Sequence, residues 1–179
     1  MHKNIELYLN KITTIFFDVD GIFTDGSLYI SDNGVTITKF NVYDGLGCIL
    51  LKEAGLEVLI LTARHSDAVI KRFKDLGINK IFTKVLKKRD FIKEYSKVNN
   101  LTKNEIAMMG DDLQDLAAID EVEVFFTTPN AIDIVKDRAN LITKRLGGNG
   151  AVREICDLII RSKSSNSSLE FERYLKKGV

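Results

Sequence analysis

Two aspartates two positions apart, Asp18 and Asp20, follow the apolar run 14–17, and a second acidic pair, Asp111-Asp112, follows the apolar run 106–109. Thr62 closes a third run of the same kind, 58–61. Carboxylates gathered on one edge repel one another unless a cation neutralises them, and hard oxygen ligands with open water positions suit magnesium. Thr62 adds a hydroxyl, and Lys84, Lys87 and Lys88 add ammonium groups. Metal, hydroxyl and ammonium together make a pocket for a phosphate group. In such a pocket one aspartate can attack phosphorus, and a second, two positions on, can move the proton.

Each group also has a plainer reading. An isolated Asp-x-Asp is commonly a turn or a helix cap, and a run of lysines is commonly a solvated helix face. Chemistry is favoured by coincidence: three runs of strand length each end in a member of the set. One of the three lysines is expected in the site and the others in solvent. Asp112 and Asp115 either support the acidic cluster or cap the helix that follows. Arg64 and Arg72 are placed near the mouth, where a guanidinium can hold a carboxylate through two hydrogen bonds; the alternative for Arg72 is a surface arginine. His2 and His65 read as exposed, and Phe16, Phe17, Phe125 and Phe126 as core.

These groups converge only if their strands lie side by side with carboxyl ends together. Strands are predicted at 14–17, 58–61, 80–83, 106–109, 123–126 and 141–142. Helices are predicted from an Asp44 cap to Ala54, from Ser66 or Asp67 to Leu76, and over 88–98, 113–119 and 151–160. A further helix follows Pro129, placed in its first turn. This alternation implies an α/β fold: a doubly wound, Rossmann-like parallel sheet with helices on both faces, whose ligands bind outside the carboxyl ends of the strands. Asn33-Gly34 between the β-prone runs 27–31 and 35–40 predicts a projecting β-hairpin with a type I′ turn. The reading has no separate cap domain. Residues 1–161 form one domain, and 162–179 form a polar tail, expected to be mobile, with Leu169, Phe171, Tyr174 and Leu175 available for docking.

The 179 residues are 45% hydrophobic and 28% charged, ordinary for one globular domain and unlike a disordered or fibrous chain. With 26 Lys+Arg against 25 Asp+Glu, the net charge of +1 supplies no field for nucleic acid. The apolar stretches are too short to span a bilayer. Cys48 and Cys156, far apart in apolar surroundings, read as buried reduced thiols. The expectation is a cytoplasmic protein with no nucleic-acid or membrane partner.

The stretch Phe17-Asp18-Val19-Asp20-Gly21-Ile22-Phe23-Thr24-Asp25-Gly26 resembles the first motif of the haloacid dehalogenase superfamily of phosphatases. Phe40–Gly45, Leu61-Thr62-Ala63-Arg64, Gly110–Asp115 and Gly147-Gly148-Asn149-Gly150-Ala151-Val152-Arg153-Glu154 are similar to its small capless branch, the 3-deoxy-D-manno-octulosonate 8-phosphate phosphatases. The chain departs from that pattern in three places. Tyr43 replaces an arginine, Ala63 replaces the glycine of Thr-Gly-Arg, and Lys84-Val85-Leu86-Lys87-Lys88 replaces Gly-x-x-Asp-Lys. By register Lys88 is the motif lysine, with Lys84 and Lys87 close by.

The resemblance implies that Asp18 becomes an aspartyl-phosphate, while Asp20 protonates the leaving oxygen and then activates water. It implies that Asp18, the Asp20 carbonyl and Asp111 hold Mg2+, and that Thr62 and Lys88 bind the phosphoryl group. The implied substrate is a phosphorylated 3-deoxy-ulosonic acid: the octulosonate 8-phosphate, or alternatively a sialic-acid-type nonulosonate 9-phosphate. Arg64 favours the former, because the nonulosonate branch tends to carry glutamate there. A homotetramer with the hairpin as shared cap is also implied. The rival from another class is a phospho-accepting receiver-type signalling domain, which has no acid/base two residues after its nucleophile and no place for a late Gly110-Asp111-Asp112.

Overall fold

A computed structural model of the chain describes residues 5–163. In chain order the strands are β1 (Thr14–Phe17), β2 (Tyr29–Ile30), β3 (Thr36–Ile37), β4 (Glu57–Leu61), β5 (Ile81–Phe82), β6 (Ile106–Met109), β7 (Val124–Thr127) and β8 (Leu141–Ile142). The helices are α1 (Ile5–Leu9), α2 (Val42–Glu53), α3 (Asp67–Asp75), α4 (Lys88–Val98), α5 (Leu113–Leu116), α6 (Asp133–Arg138) and α7 (Ala151–Lys163). Six strands form one parallel sheet in the order β5-β4-β1-β6-β7-β8. Winding runs outward from β1 to β5 and then returns to β6, so the reversal lies between β1 and β6. That is where open α/β sheets bind ligands.

The four residues of β1, β6 and β7 are buried on both faces, as a covered parallel sheet requires. Alternation divides them. Ile15, Phe17, Ile60, Met109 and Phe126 pack with α2 and α7, while Phe16, Leu59, Met108 and Phe125 pack on the other face with Ile92 of α4 and Val135 of α6. The two thiols, Cys48 of α2 and Cys156 of α7, are buried where these helices meet.

Several boundaries differ from expectation for local reasons. The cap of α2 is Asn41, whose side chain accepts from the Tyr43 N–H. Asp44 instead turns its carboxylate to the start of α7, accepting from Gly150 N at 3.1 Å and Arg153 N at 2.9 Å. It therefore caps a helix other than its own. Pro129 precedes α6, which starts at Asp133, and lies in the turn that leaves β7. The hairpin has a three-residue loop rather than a type I′ turn. Gly34 is left-handed and Asn33 is not, and Gly34 N donates to Ser31 O at 2.8 Å, as in a type I turn closed by a glycine bulge. Helix α7 runs two residues past the expected domain end, with Ser162 Oγ donating to Ile159 O and Lys163 Nζ donating to Asn10 O. The rest of the expected tail, with its apolar residues, lies outside the described residues. The short α1, with buried Leu9, had no signal in the periodicity. Among the described residues no helix is long and apolar enough to cross a membrane.

Candidate active site

The carboxyl ends of β1, β4 and β6 deliver Asp18, Thr62 and Asp111 to one edge. Ladder hydrogen bonds continue past the strands to fix them: Asp18 N donates to Met109 O, and Thr62 N donates to Phe82 O. The first residue of α4 is Lys88, buried along with its ammonium. Its Nζ lies 2.6 Å from Asp18 Oδ1 and donates as well to Asp115 Oδ1. Asp115 also accepts, through Oδ2, from the backbone of Asp111 at 3.0 Å and Asp112 at 3.2 Å. One carboxylate thus holds both the lysine and the loop that carries Asp111. Asp112 caps α5, accepting from Leu113 N at 2.7 Å.

Oxygens of Asp18, Asp111 and Asp115 lie within 4.8 Å of one another. Three carboxylates against one ammonium leave two negative charges uncompensated in a desolvated place. Burial pushes the Asp18 carboxyl up to about 8, with Asp115 adding to the rise and Lys88 opposing it. Burial likewise lifts Asp111 to about 7, with Asp115 and Asp112 contributing. For Lys88, burial works against the ammonium, but Asp115 and Asp18 outweigh it and hold its pKa above the ordinary lysine value. A divalent cation is the chemical complement of this excess, and the donor set, all carboxylate oxygen, fits a hard ion such as magnesium.

Asp20 is not in that cluster. Its carboxylate meets Arg64 Nη1 at 3.1 Å near the mouth, with both side chains more than a third exposed. A pair so exposed contributes about 0–1 kcal/mol, so either partner can be exchanged for substrate. Arg72 lays its guanidinium against Gly45 in the first turn of α2, where a Cβ would collide with it. Lys84 and Lys87 are exposed. His65 is exposed and pairs with Thr83 Oγ1 at 3.2 Å.

Two supports escaped the sequence reading. Asn130, in the turn after β7, donates to Gly21 O at 3.1 Å and accepts from Gly147 N at 2.8 Å, tying the acidic loop to the glycine-rich stretch. Thr24 Oγ1 accepts from Gly21 N and Gly26 N, each at 3.2 Å. A polar pair after an apolar run, Thr128 and Asn130 around Pro129, was the available signal. The glycines have steric reasons: a Cβ on Gly21 would overlap the Asp111 carboxylate, and one on Gly147 would overlap Gly21 O. A hollow of about 920 Å³ bordered by Tyr43, Leu141 and Arg161 holds none of these groups. Charge, not cavity size, marks the site.

A doubly wound sheet with carboxylates gathered at its reversal point and a lysine buried between two of them is the arrangement of a class of Rossmann-like enzymes that handle phosphoryl groups at an acidic strand end. A family model described as haloacid dehalogenase-like hydrolase matches residues 78–155. A 3-deoxy-D-manno-octulosonate 8-phosphate phosphatase of Haemophilus influenzae is 33% identical over 171 residues, covering 96% of this chain and 95% of its own. The crystal structure of the Moraxella catarrhalis phosphatase of the same name, in complex with magnesium, phosphate and KDO, superposes with a TM-score of 0.89 at 33% identity, covering 98% of this chain and 99% of that one. A cobalt-bound form of the Haemophilus influenzae enzyme gives 0.84 at 32% identity, over 92% and 99%. The chain belongs to the haloacid dehalogenase-like hydrolases, in the branch that holds these octulosonate phosphatases.

Proposed function

We propose that this chain is a magnesium-dependent phosphoric monoester hydrolase that converts 3-deoxy-D-manno-octulosonate 8-phosphate to KDO and phosphate. The observation that carries the reading is the buried bridge from Asp18 through Lys88 to Asp115, beside Asp111. The end-to-end similarity to phosphatases of that name supports the choice of substrate. Arg64 supports an octulosonate over a nonulosonate.

In this reading Asp18 attacks phosphorus as the bond to the sugar oxygen breaks, and Asp20 gives that oxygen its proton. Asp20 then takes a proton from water, whose oxygen bonds to phosphorus while the bond to Asp18 breaks, which releases phosphate and restores the carboxylate. Thr62 and Lys88 hold phosphoryl oxygens, Arg64 and Arg72 lie on the path of the sugar acid, and Asp112 and Asp115 keep the acidic loop in place. Asp18, the Asp20 carbonyl and Asp111 would hold magnesium, which when bound neutralises carboxylate and phosphoryl charge. Phosphoryl transfer needs such positioning and neutralisation more than covalent machinery.

The assembly we propose is a homotetramer closed by the hairpin. Leu28, Ile30, Val35 and Ile37 are all exposed on it, Ile30 at 64% and Ile37 at 62%. A two-stranded ribbon cannot bury such a set alone, and second copies of the chain are the proposed cover. The two reduced, buried thiols support a cytoplasmic setting.

Phosphate release from a panel of sugar phosphates, with and without magnesium, tests the function. The octulosonate 8-phosphate should be the best substrate, and chelation with EDTA should abolish release until magnesium is returned. Equal turnover of unrelated sugar phosphates, or activity that survives complete chelation, would refute the reading.

A further inference from the structure

The backbone is strained at one point of the catalytic edge, and the residue there is a cation. Among the described residues the left-handed positions are Gly21, Gly26, Gly34, Gly55, Gly77, Gly148, Gly150, Asn100 and Lys84. Glycine adopts that conformation freely and asparagine tolerates it, whereas lysine has no such preference. Lys84 adopts it at φ 61°. Its turn is clamped from both sides by Thr62, whose N–H donates to Phe82 O at 3.0 Å and whose carbonyl accepts from Val85 N at 3.1 Å. Only Thr83 and Lys84 bridge the clamp, and the reversal forces Lys84 left-handed. The resembled pattern carries glycine at this place.

Strained residues persist where the surrounding structure imposes them, and they cluster at functional sites. Of the other cations near this edge, Lys88 is held by Asp18 and Asp115, Arg64 meets Asp20 in an exposed, exchangeable pair, and Arg72 lies against Gly45. Lys87 is exposed like Lys84 but carries no left-handed backbone. Lys84 is exposed and makes none of the ion pairs found among the described residues. It follows β5, in the turn held against the strand end that presents Thr62.

We propose that Lys84 is a specificity-determining residue whose ammonium binds the carboxylate of the sugar acid while Thr62 and Lys88 take the phosphate; this rests on the phosphatase reading above. A phosphate ester without a carboxylate gains nothing from it. The strain at Lys84 is then a stability cost retained for substrate selection.

Lys84→Gly removes strain and charge together, and Lys84→Arg keeps both. The expected result for Lys84→Gly is a melting temperature higher by about 2–4 °C. Its KM for the octulosonate 8-phosphate should rise about tenfold or more, with little change in kcat and little change in either constant for p-nitrophenyl phosphate. Lys84→Arg should recover the KM without the gain in melting temperature. A Lys84→Gly protein that melts lower than wild type overturns the strain argument. An unchanged KM, or equal rises for both esters, overturns carboxylate binding. The wild-type arm separates the two readings: a wild type that cleaves p-nitrophenyl phosphate but no 3-deoxy sugar acid phosphate refutes the substrate, and this inference with it.

Discussion

Lys88 sits between two carboxylates, Asp18 and Asp115, and is buried with both. Removing the middle charge leaves two buried anions with no counterion, a change that costs about 3–5 kcal/mol when a buried pair is broken, out of a whole-protein stability of about 5–15 kcal/mol. Lys88→Met should therefore lower the denaturant midpoint sharply as well as abolish turnover; a midpoint equal to wild type would show that the bridge carries no stability. Asp18→Asn should behave differently. It removes a carboxylate that burial and Asp115 already oppose, so without metal the fold should melt no lower than wild type, while turnover falls by at least about a thousandfold with the loss of the proposed nucleophile. Substantial phosphatase activity in folded Asp18→Asn would remove Asp18 from that role. At this scale the placement of most of the candidate site was legible, because Asp18, Thr62 and Asp111 each follow or close an apolar run. Asp115 was harder to read: its two oxygens serve a lysine 27 positions away and two backbone N–H groups nearby, and the lysine contact has no local pattern.

Helix α7 begins at a carboxylate contributed by α2. Asp44 is fully buried and accepts from Gly150 N and Arg153 N. Burial raises its pKa above the ordinary carboxylate value despite those hydrogen bonds. The folded protein thus keeps this proton to a higher pH than the unfolded chain does. The stability the group contributes is full below the unfolded value of about 3.9 and is lost as pH rises through the folded value. Asn cannot titrate and offers one acceptor for two donors, a deficit of about 1–3 kcal/mol. Asp44→Asn should melt below wild type at pH 4, with the gap narrowing toward pH 7; a gap that widens with pH would contradict a raised pKa at Asp44. The strands and most helices could be read from periodicity and strand-end punctuation. The cap at Asp44 could not, since its partners are more than a hundred positions away, and locally the residue looks like the start of its own helix.

At the scale of the whole molecule, the hairpin formed by β2 and β3 is an apolar surface that the parallel sheet does not explain. If copies of the chain cover it, replacing Ile30 and Ile37 together by Lys should convert the tetramer to smaller species in light scattering. The same change should weaken binding of the sugar phosphate more than that of p-nitrophenyl phosphate. A wild-type monomer fully active on the sugar would discard the assembly. The winding of the sheet was readable from the order of elements, whereas the hairpin's loop was not: Asn33-Gly34 suits more than one turn, and side-chain bonding from Ser31 selects the longer one. The loop that follows Asp18 is held by partners from the far end of the chain, Asn130, Gly147 and Gly148. A nascent chain has made its aspartates long before it has made their supports. During synthesis the enzyme should therefore stay silent on the ribosome until α7 has cleared the exit tunnel, and chains arrested before Gly147 should release no phosphate however well their first strands have paired.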